Sequence, residues 1–283
     1  MAPSPLRTII RKPARSVSLP SRSHPFMLQF DEQLSKVRAS EATTSTLSSV
    51  SSSLAYLNNS YDSIDNIFLL PHIQQALSQE RQDKCAAELL DGYLRLLDVC
   101  STTRDLFSQK KQSIHELLSA LRRKDRDDLS RYLTSRKNSK KIIQKALKEL
   151  DSIRSRQSVK ATEKENTTVE ILSMLKEVGT TTMTMFQSLL KHLNGRKQQT
   201  GWSLVSKLMN TRESKQEEEI KANELEKVDT TLHFLKDDVE QVEDVQNQLR
   251  NILSGIETVE DDLECLFRRL IKSRVFLLNI LNH

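Results

Sequence analysis

Apolar residues recur every three or four positions along most of the chain, and that spacing predicts helices. In KCAAELLDGYLRLLDVCSTTRDLF, Lys84–Phe107, the residues Cys85, Leu89, Tyr93, Leu96 and Cys100 share one face, widened by Leu90 and Leu97. Glu88, Asp91, Arg95 and Arg104 occupy the other face and suit water. A helix so one-sided has to bury its stripe against other elements. Upstream, Met27, Phe30, Leu34 and Val37 predict a helix from Phe26. Leu47, Val50, Leu54, Leu57, Tyr61 and Ile64 alternate steps of three and four through a Ser/Thr-rich stretch, which predicts a helix from about Thr44 to Leu69. Pro71 suits the first position of a further helix, where its missing N–H costs nothing. That helix is expected to run through Ile73 and Leu77 into the central stretch, and on to Ile114, Leu117, Leu118 and Leu121.

Downstream, Leu129, Tyr132 or Leu133, Ile143, Ala146, Leu147, Leu150 and Ile153 predict a helix over about Asp128–Arg154. Ile171, Leu172, Leu175, Val178, Met185, Phe186, Leu189 and Leu193 predict another over about Thr168–Leu193. Gly179 is a local weak point in it, and Asn194-Gly195 supplies a stop. Val228, Leu235, Val242, Leu249, Ile256, Leu263 and Leu270 then repeat every seven residues, with Leu225, Leu232, Val239 and Leu253 filling a second position. This seam predicts a long helix from near Ser214, with Gly255 as a candidate break. Trp202, Leu204, Val205, Leu208 and Met209 form a short apolar island before it. The expected fold is all-α: an antiparallel bundle of long amphipathic helices with coiled-coil-like seams over residues 26–283. Polar loops are expected near 122–128, 155–166 and 194–201, and a disordered basic arm at 1–25. The seam could pair within the chain or with another copy, so oligomeric state stays open.

Composition supports this picture. All six prolines lie at or before Pro71, so nothing interrupts a helix by proline from His72 to His283. Cys85 and Cys100 stand ~22 Å apart along one helix and cannot bridge. With Cys265 they read as buried thiols in a reducing compartment. No apolar run approaches the ~18 residues of a membrane span. The N-terminus lacks the apolar core of a secretory signal, although its Arg/Ser-rich, acid-free composition is that of a plastid or mitochondrial transit peptide. A cytoplasmic protein, possible peripheral membrane contact included, is the expected setting, with plastid import the minority alternative.

The net charge of +5 sits in the arm, where Arg7, Arg11, Lys12, Arg15 and Arg22 face no acid; the remainder balances. Within that remainder the charge is uneven. Arg122–Lys148 holds eleven basic and three acidic residues, whereas Glu213–Glu264 holds seventeen acids and five bases. Lys137, Lys141, Lys145 and Lys148 form one helical stripe. It is expected either to lie against the acidic seam helix and be neutralised there, or to meet an anionic partner, a lipid surface in particular. Base-stacking aromatics are missing around it, which disfavours nucleic acid. The C-terminal stretch Leu266–His283 mixes Arg268, Arg269, Lys272 and Arg274 with apolar residues nearly all round; docking into the core is favoured over a membrane interface.

No catalytic, cofactor or metal motif is present: no glycine-rich phosphate loop, no CxxC and no HExxH, and the histidines are scattered. No catalytic, cofactor-binding or metal-ligating residue is therefore expected, and no enzymatic activity. The arm does carry Arg15-Ser16-Val17-Ser18-Leu19-Pro20, the R-S-x-S-x-P pattern that 14-3-3 proteins recognise once the second serine is phosphorylated. Ser18 is the candidate phosphorylation site, with Arg15, Ser16 and Pro20 completing the motif.

SLPSRSHPFMLQFDEQLSKVRASEATTSTLSSVSSSL (18–54), ELLDGYLRLLDVCSTTRDLF (88–107), RYLTSRKNSKKIIQKALKEL (131–150) and LECLFRRLIKSRVFLLNILNH (263–283) resemble the plant-specific BYPASS-related family. The resemblance covers nearly the whole chain after the first seventeen residues. It implies an all-helical land-plant protein without known enzymatic activity, and a link to root and shoot development. The expected function is a non-enzymatic helical scaffold or regulator acting through protein contacts. The alternative is an anionic-lipid binder using the basic helix 131–148 and the stretch 266–283.

Overall fold

The computed structural model describes residues 25–41, 46–79, 84–124, 126–156, 167–195, 223–234 and 239–282. Eight helices appear among them: α1 (Pro25–Glu41), α2 (Leu47–Phe68), α3 (Pro71–Gln79), α4 (Lys84–Arg123), α5 (Arg126–Arg156), α6 (Thr167–Asn194), α7 (Glu224–Phe234) and α8 (Val239–Asn282). No strand occurs among the described residues. The arm with Arg15, Ser16, Ser18 and Pro20, the apolar island at Trp202, the expected helix start near Ser214 and Leu235 of the seam all lie outside them.

The three-four spacing of α2 becomes a fully buried row: Leu47, Val50, Leu54, Leu57, Tyr61, Ile64 and Phe68. The buried hydroxyls of Ser53, Ser60 and Ser63 are satisfied within this helix, each donating to the carbonyl four residues back. Thr46 caps its start, accepting from the Ser49 N–H at 3.2 Å while Ser49 Oγ accepts from Thr46 N–H at 3.3 Å. Pro71 opens α3 as expected.

Four helices close a ring, α2 against α8, α8 against α4, α4 against α6 and α6 against α2. Side-chain pairs give their senses. Ser51 meets Asp262 and Lys272 meets Asp65, so α2 and α8 run parallel. Arg104 meets Glu264 and Lys111 meets Glu257 and Glu260, so α4 and α8 run antiparallel. Helix α1 covers α2 and α6, and α5 covers α4 and α6. A single apolar cluster draws residues from all eight helices, from Phe30 of α1 to Ile280 of α8. Each large apolar side chain so buried contributes on the order of 1.5–3 kcal/mol.

Several sequence expectations change. Lys110 and Thr103 are buried on α4, at the same three-four spacing as Tyr93, Leu96, Cys100, Phe107, Ile114 and Leu117. Gly255 does not break α8, which continues over Val239–Asn282. It lies where α8 passes over α2: an added Cβ would come 2.9 Å from both Cβ and Cδ1 of Leu47. The Leu47 side chain fills the space that a Cβ would need, which suits glycine at this crossing. The second buried row of α8 is Val245, Ile252, Val259 and Leu266, three residues after each seam position, with Leu253 at its edge. The corner expected at 122–128 contracts to Lys124, at φ 56°, beside α5 beginning at Arg126. Helix α6 runs through Gly179 and stops at Gly195, whose φ of 67° and N–H to the Lys191 carbonyl form a left-handed cap. The C-terminal stretch docks: Leu266, Leu270, Leu277 and Ile280 are buried, while Arg269 and Lys272 pair with Asp62 and Asp65 of α2.

Candidate anionic-surface site

Asp127 and Asp128 occupy the first turn of α5, where negative charge suits the helix dipole. Asp128 also gathers Arg123, at 2.6 Å, and Arg131. The buried side of α5 carries Tyr132, Arg136, Ile143 and Leu150. The outward side carries Lys137, Lys141, Lys145 and Lys148, all exposed. At 100° per residue these four fall within an arc of about 80° and span ~17 Å of helix. Ile142, 50% exposed, adds an apolar side chain beside them.

Among the described residues the acidic seam helix does not neutralise this stripe. Helix α5 packs on α4 and α6, while α8 packs on α2 and α4. The α8 acids Glu257, Glu260 and Glu264 are instead met by Lys111 and Arg104 of α4. Among the described residues none of the four lysines makes an ion pair. Among the described residues the acidic stretch pairs with α5 through Asp229 of α7.

That contact builds a polar cluster that the sequence reading missed. Arg136 is 6% exposed; its Nε donates to Asp229 Oδ2 at 2.9 Å and its Nη1 to the Leu193 carbonyl at 2.7 Å. Its Nη2 is buried without a hydrogen-bond partner among the described residues. Lys110 Nζ donates to the Tyr132 hydroxyl at 2.8 Å and lies 5.1 Å from the centre of that ring. The Tyr132 hydroxyl makes a long contact of 3.4 Å to Asp229 Oδ1. Burial, with Arg136 next in weight, pushes the Lys110 ammonium down to about 7, against the pull of Asp229. Lys140 is lowered by the same two causes. Burial also holds the Tyr132 phenol well above its ordinary range. The α6 end is tied in as well: Asn223 Nδ2 donates to the His192 carbonyl at 2.8 Å, and burial holds the His192 imidazole down to about 4. One signal for Arg136 was available. It falls at a three-four position with Tyr132, Ile143 and Leu150.

Among the described residues this cluster does not bring together a nucleophile, a base and oxyanion donors. A cleft of about 400 Å³ between α4, α5 and α6 includes Arg95, Asp98 and Glu149 in its lining, but Arg95 is already paired with Asp91. No group of three metal-ligating side chains occurs among the described residues. No described helix is long and apolar enough to cross a membrane. Cys100 is buried, its thiol pushed up to about 12 by burial, whereas Cys265 is half-buried. The Cys85 side chain lies outside the described residues.

The family model described as Protein BPS1 matches residues 53–280. The chain belongs to the BPS1 family. The matched span begins within α2 and takes in α4, α5 and α6 entire, so the lysine face and the Arg136 cluster both lie inside the BPS1 region. No curated protein and no solved structure matched. Membership in the BPS1 family supports the BYPASS-related resemblance read from the sequence and suggests a plant developmental role.

Proposed function

We propose that this protein is a non-enzymatic regulator of plant development that works by docking its α5 lysine face on an anionic membrane surface. The observation that carries the reading is the Lys137, Lys141, Lys145 and Lys148 stripe, exposed and without an ion pair among the described residues, on a helix whose other side is buried. Lysines are compact, strongly hydrated point charges with no fixed hydrogen-bond fork. Protein interfaces are depleted in lysine and enriched in arginine and aromatic residues. A stripe of lysines beside one exposed isoleucine therefore fits a diffuse lipid surface better than a shaped protein pocket. Each lysine near such a surface is worth about 1 kcal/mol, so the four together supply ~4 kcal/mol. The basic residues of the C-terminal stretch add less than the sequence implied, since Arg269 and Lys272 are already engaged by α2.

The test is flotation of the full chain with phosphatidylcholine vesicles, with and without phosphatidylserine. Binding should need phosphatidylserine and should fall steeply between about 0.1 M and about 1 M salt, as the screening length shrinks from ~10 to ~3 Å. Replacing the four lysines by glutamine should abolish it. Equal binding by that variant, or binding unmoved by salt, contradicts the reading. A protein route through phosphorylated Ser18 and 14-3-3 proteins is a separate proposal, tested by mapping phosphate on Ser18 and capture of the phosphorylated chain.

A further inference from the structure

From the geometry of the buried cluster we infer a binding site for a phosphate monoester between Arg136 and Lys140, at one end of the lysine face. Three cations, Lys110, Arg136 and Lys140, gather around one carboxylate, Asp229. The nearby Glu226 carboxylate accepts from the Asn223 backbone N–H at 3.1 Å and caps α7. Near neutral pH Lys110 is only partly protonated, but Arg136, Lys140 and the flanking Lys137 and Lys141 outnumber the Asp229 and Glu226 carboxylates, so positive charge is left in excess at this end of the face. Arginine does not release its proton, so Arg136 stays charged whatever its surroundings.

One donor is left over. Arg136 uses Nε on Asp229 and Nη1 on the Leu193 carbonyl, and its Nη2 is buried with no hydrogen-bond partner among the described residues. Buried polar groups are rarely left so, and an orphaned guanidinium nitrogen is costly. Lys140 lies one helical turn on from Arg136, half-buried and without an ion pair among the described residues, and marks the side open to solvent. Lys137 and Lys141 flank it and are exposed.

A group with several terminal oxygens completes this arrangement. One oxygen accepts from Arg136 Nη2 and another from Lys140 Nζ, giving two charge-assisted hydrogen bonds. A phosphate monoester carries nearly two negative charges at neutral pH, which matches the excess; a phosphodiester or a carboxylate carries one. No covalent step is involved. The monoester could be free in solution or carried on a phosphorylated lipid headgroup. Only the second source rests on the membrane reading above, since it would seat a headgroup at the end of the stripe.

The experiment uses the full chain in two arms. In solution, inositol trisphosphate is titrated calorimetrically into wild type, Lys140→Gln and Lys148→Gln, with thermal unfolding of each variant confirming its fold. On membranes, the same proteins float with phosphatidylcholine vesicles carrying phosphatidylserine or phosphatidylinositol 4-phosphate, matched for total charge. Inositol trisphosphate should bind wild type and raise its melting temperature, and Lys140→Gln should weaken it by about tenfold (about 1.4 kcal/mol) while Lys148→Gln leaves it within about twofold. The phosphatidylinositol 4-phosphate vesicles should bind more tightly than the charge-matched ones, and Lys140→Gln should erase that preference. Binding in solution without vesicle binding supports the site with free phosphate as its source, and sinks the membrane reading alone. Equal weakening by Lys140→Gln and Lys148→Gln, or no binding in solution by wild type, overturns the site. Vesicle binding with no monoester preference also overturns the lipid-borne source, and leaves the lysine face acting by charge alone.

Discussion

Removing the Asp229 carboxylate should destabilise the protein more than removing the Arg136 guanidinium that it pairs with. The asymmetry follows from exposure. Arg136 is 6% exposed, whereas the Asp229 side chain is 16% exposed. Breaking a buried ion pair from one side costs ~3–5 kcal/mol, because the other charge is stranded. In Asp229→Leu the stranded charge is Arg136, still held by the Leu193 carbonyl and still crowded by Lys110 and Lys140. That places the cost near the lower end, ~3 kcal/mol. In Arg136→Met the stranded charge is Asp229, which water can reach and which keeps the Tyr132 hydroxyl and two nearby lysines. The loss there is about one buried hydrogen bond and part of the pair, ~1–2 kcal/mol. The double variant replaces the pair by two apolar side chains and should lie within ~1 kcal/mol of wild type. The cycle then closes with a coupling of about 4–5 kcal/mol. Urea unfolding followed by far-ultraviolet circular dichroism measures all four proteins. Additive losses, or a costlier Arg136→Met, would refute the reasoning.

Three further outcomes are expected. Gly255→Ala should destabilise by about 1–2 kcal/mol in urea despite a helix-propensity gain near 1 kcal/mol, because its Cβ meets Leu47 at 2.9 Å; Gly179→Ala, 3.7 Å from Leu96, should be neutral or stabilising. Lys110 titrates near 7 in the fold and near 10.5 when unfolded, so its burial penalty is full below pH 7 and fades as pH rises toward 10. Wild type should therefore gain unfolding free energy relative to Lys110→Met over that window, by on the order of 1.4 kcal/mol per pH unit at most, as read by urea unfolding at each pH, and parallel pH curves would contradict it. Cys100 should resist alkylation at pH 8 until the protein unfolds, as read by peptide mass mapping, because its thiol is buried and titrates near 12.

Much of the fold was legible because one-sided helices advertise their buried faces. The α2 row from Leu47 to Ile64 and the seven-residue repeat at Leu249, Ile256, Leu263 and Leu270 are buried as their spacing required. Neighbours were less legible. Opposite charge drew the basic α5 toward the acidic α8 on paper, yet α4 supplies its own Arg104 and Lys111 to those acids and occupies that side. Charge balance names compatible surfaces without ranking them, and packing decides. The buried polar cluster was hidden for a related reason. A lysine or arginine at an apolar spacing looks like an exposed residue until its partner is known, and the partner of Arg136 lies 93 residues away. The spacing of the four lysines was legible as a stripe; that nothing among the described residues neutralises it required the packing.

The docking of α5 on lipid is tested most directly by where the membrane touches the protein. An environment-sensitive fluorophore placed at Gln144, among the exposed lysines of α5, should shift to the blue when phosphatidylserine vesicles are added. The same fluorophore at Ser254, exposed on α8, should not respond. A shift at Ser254 with none at Gln144 would place the contact elsewhere, and no shift at either position would remove the membrane from the protein's function.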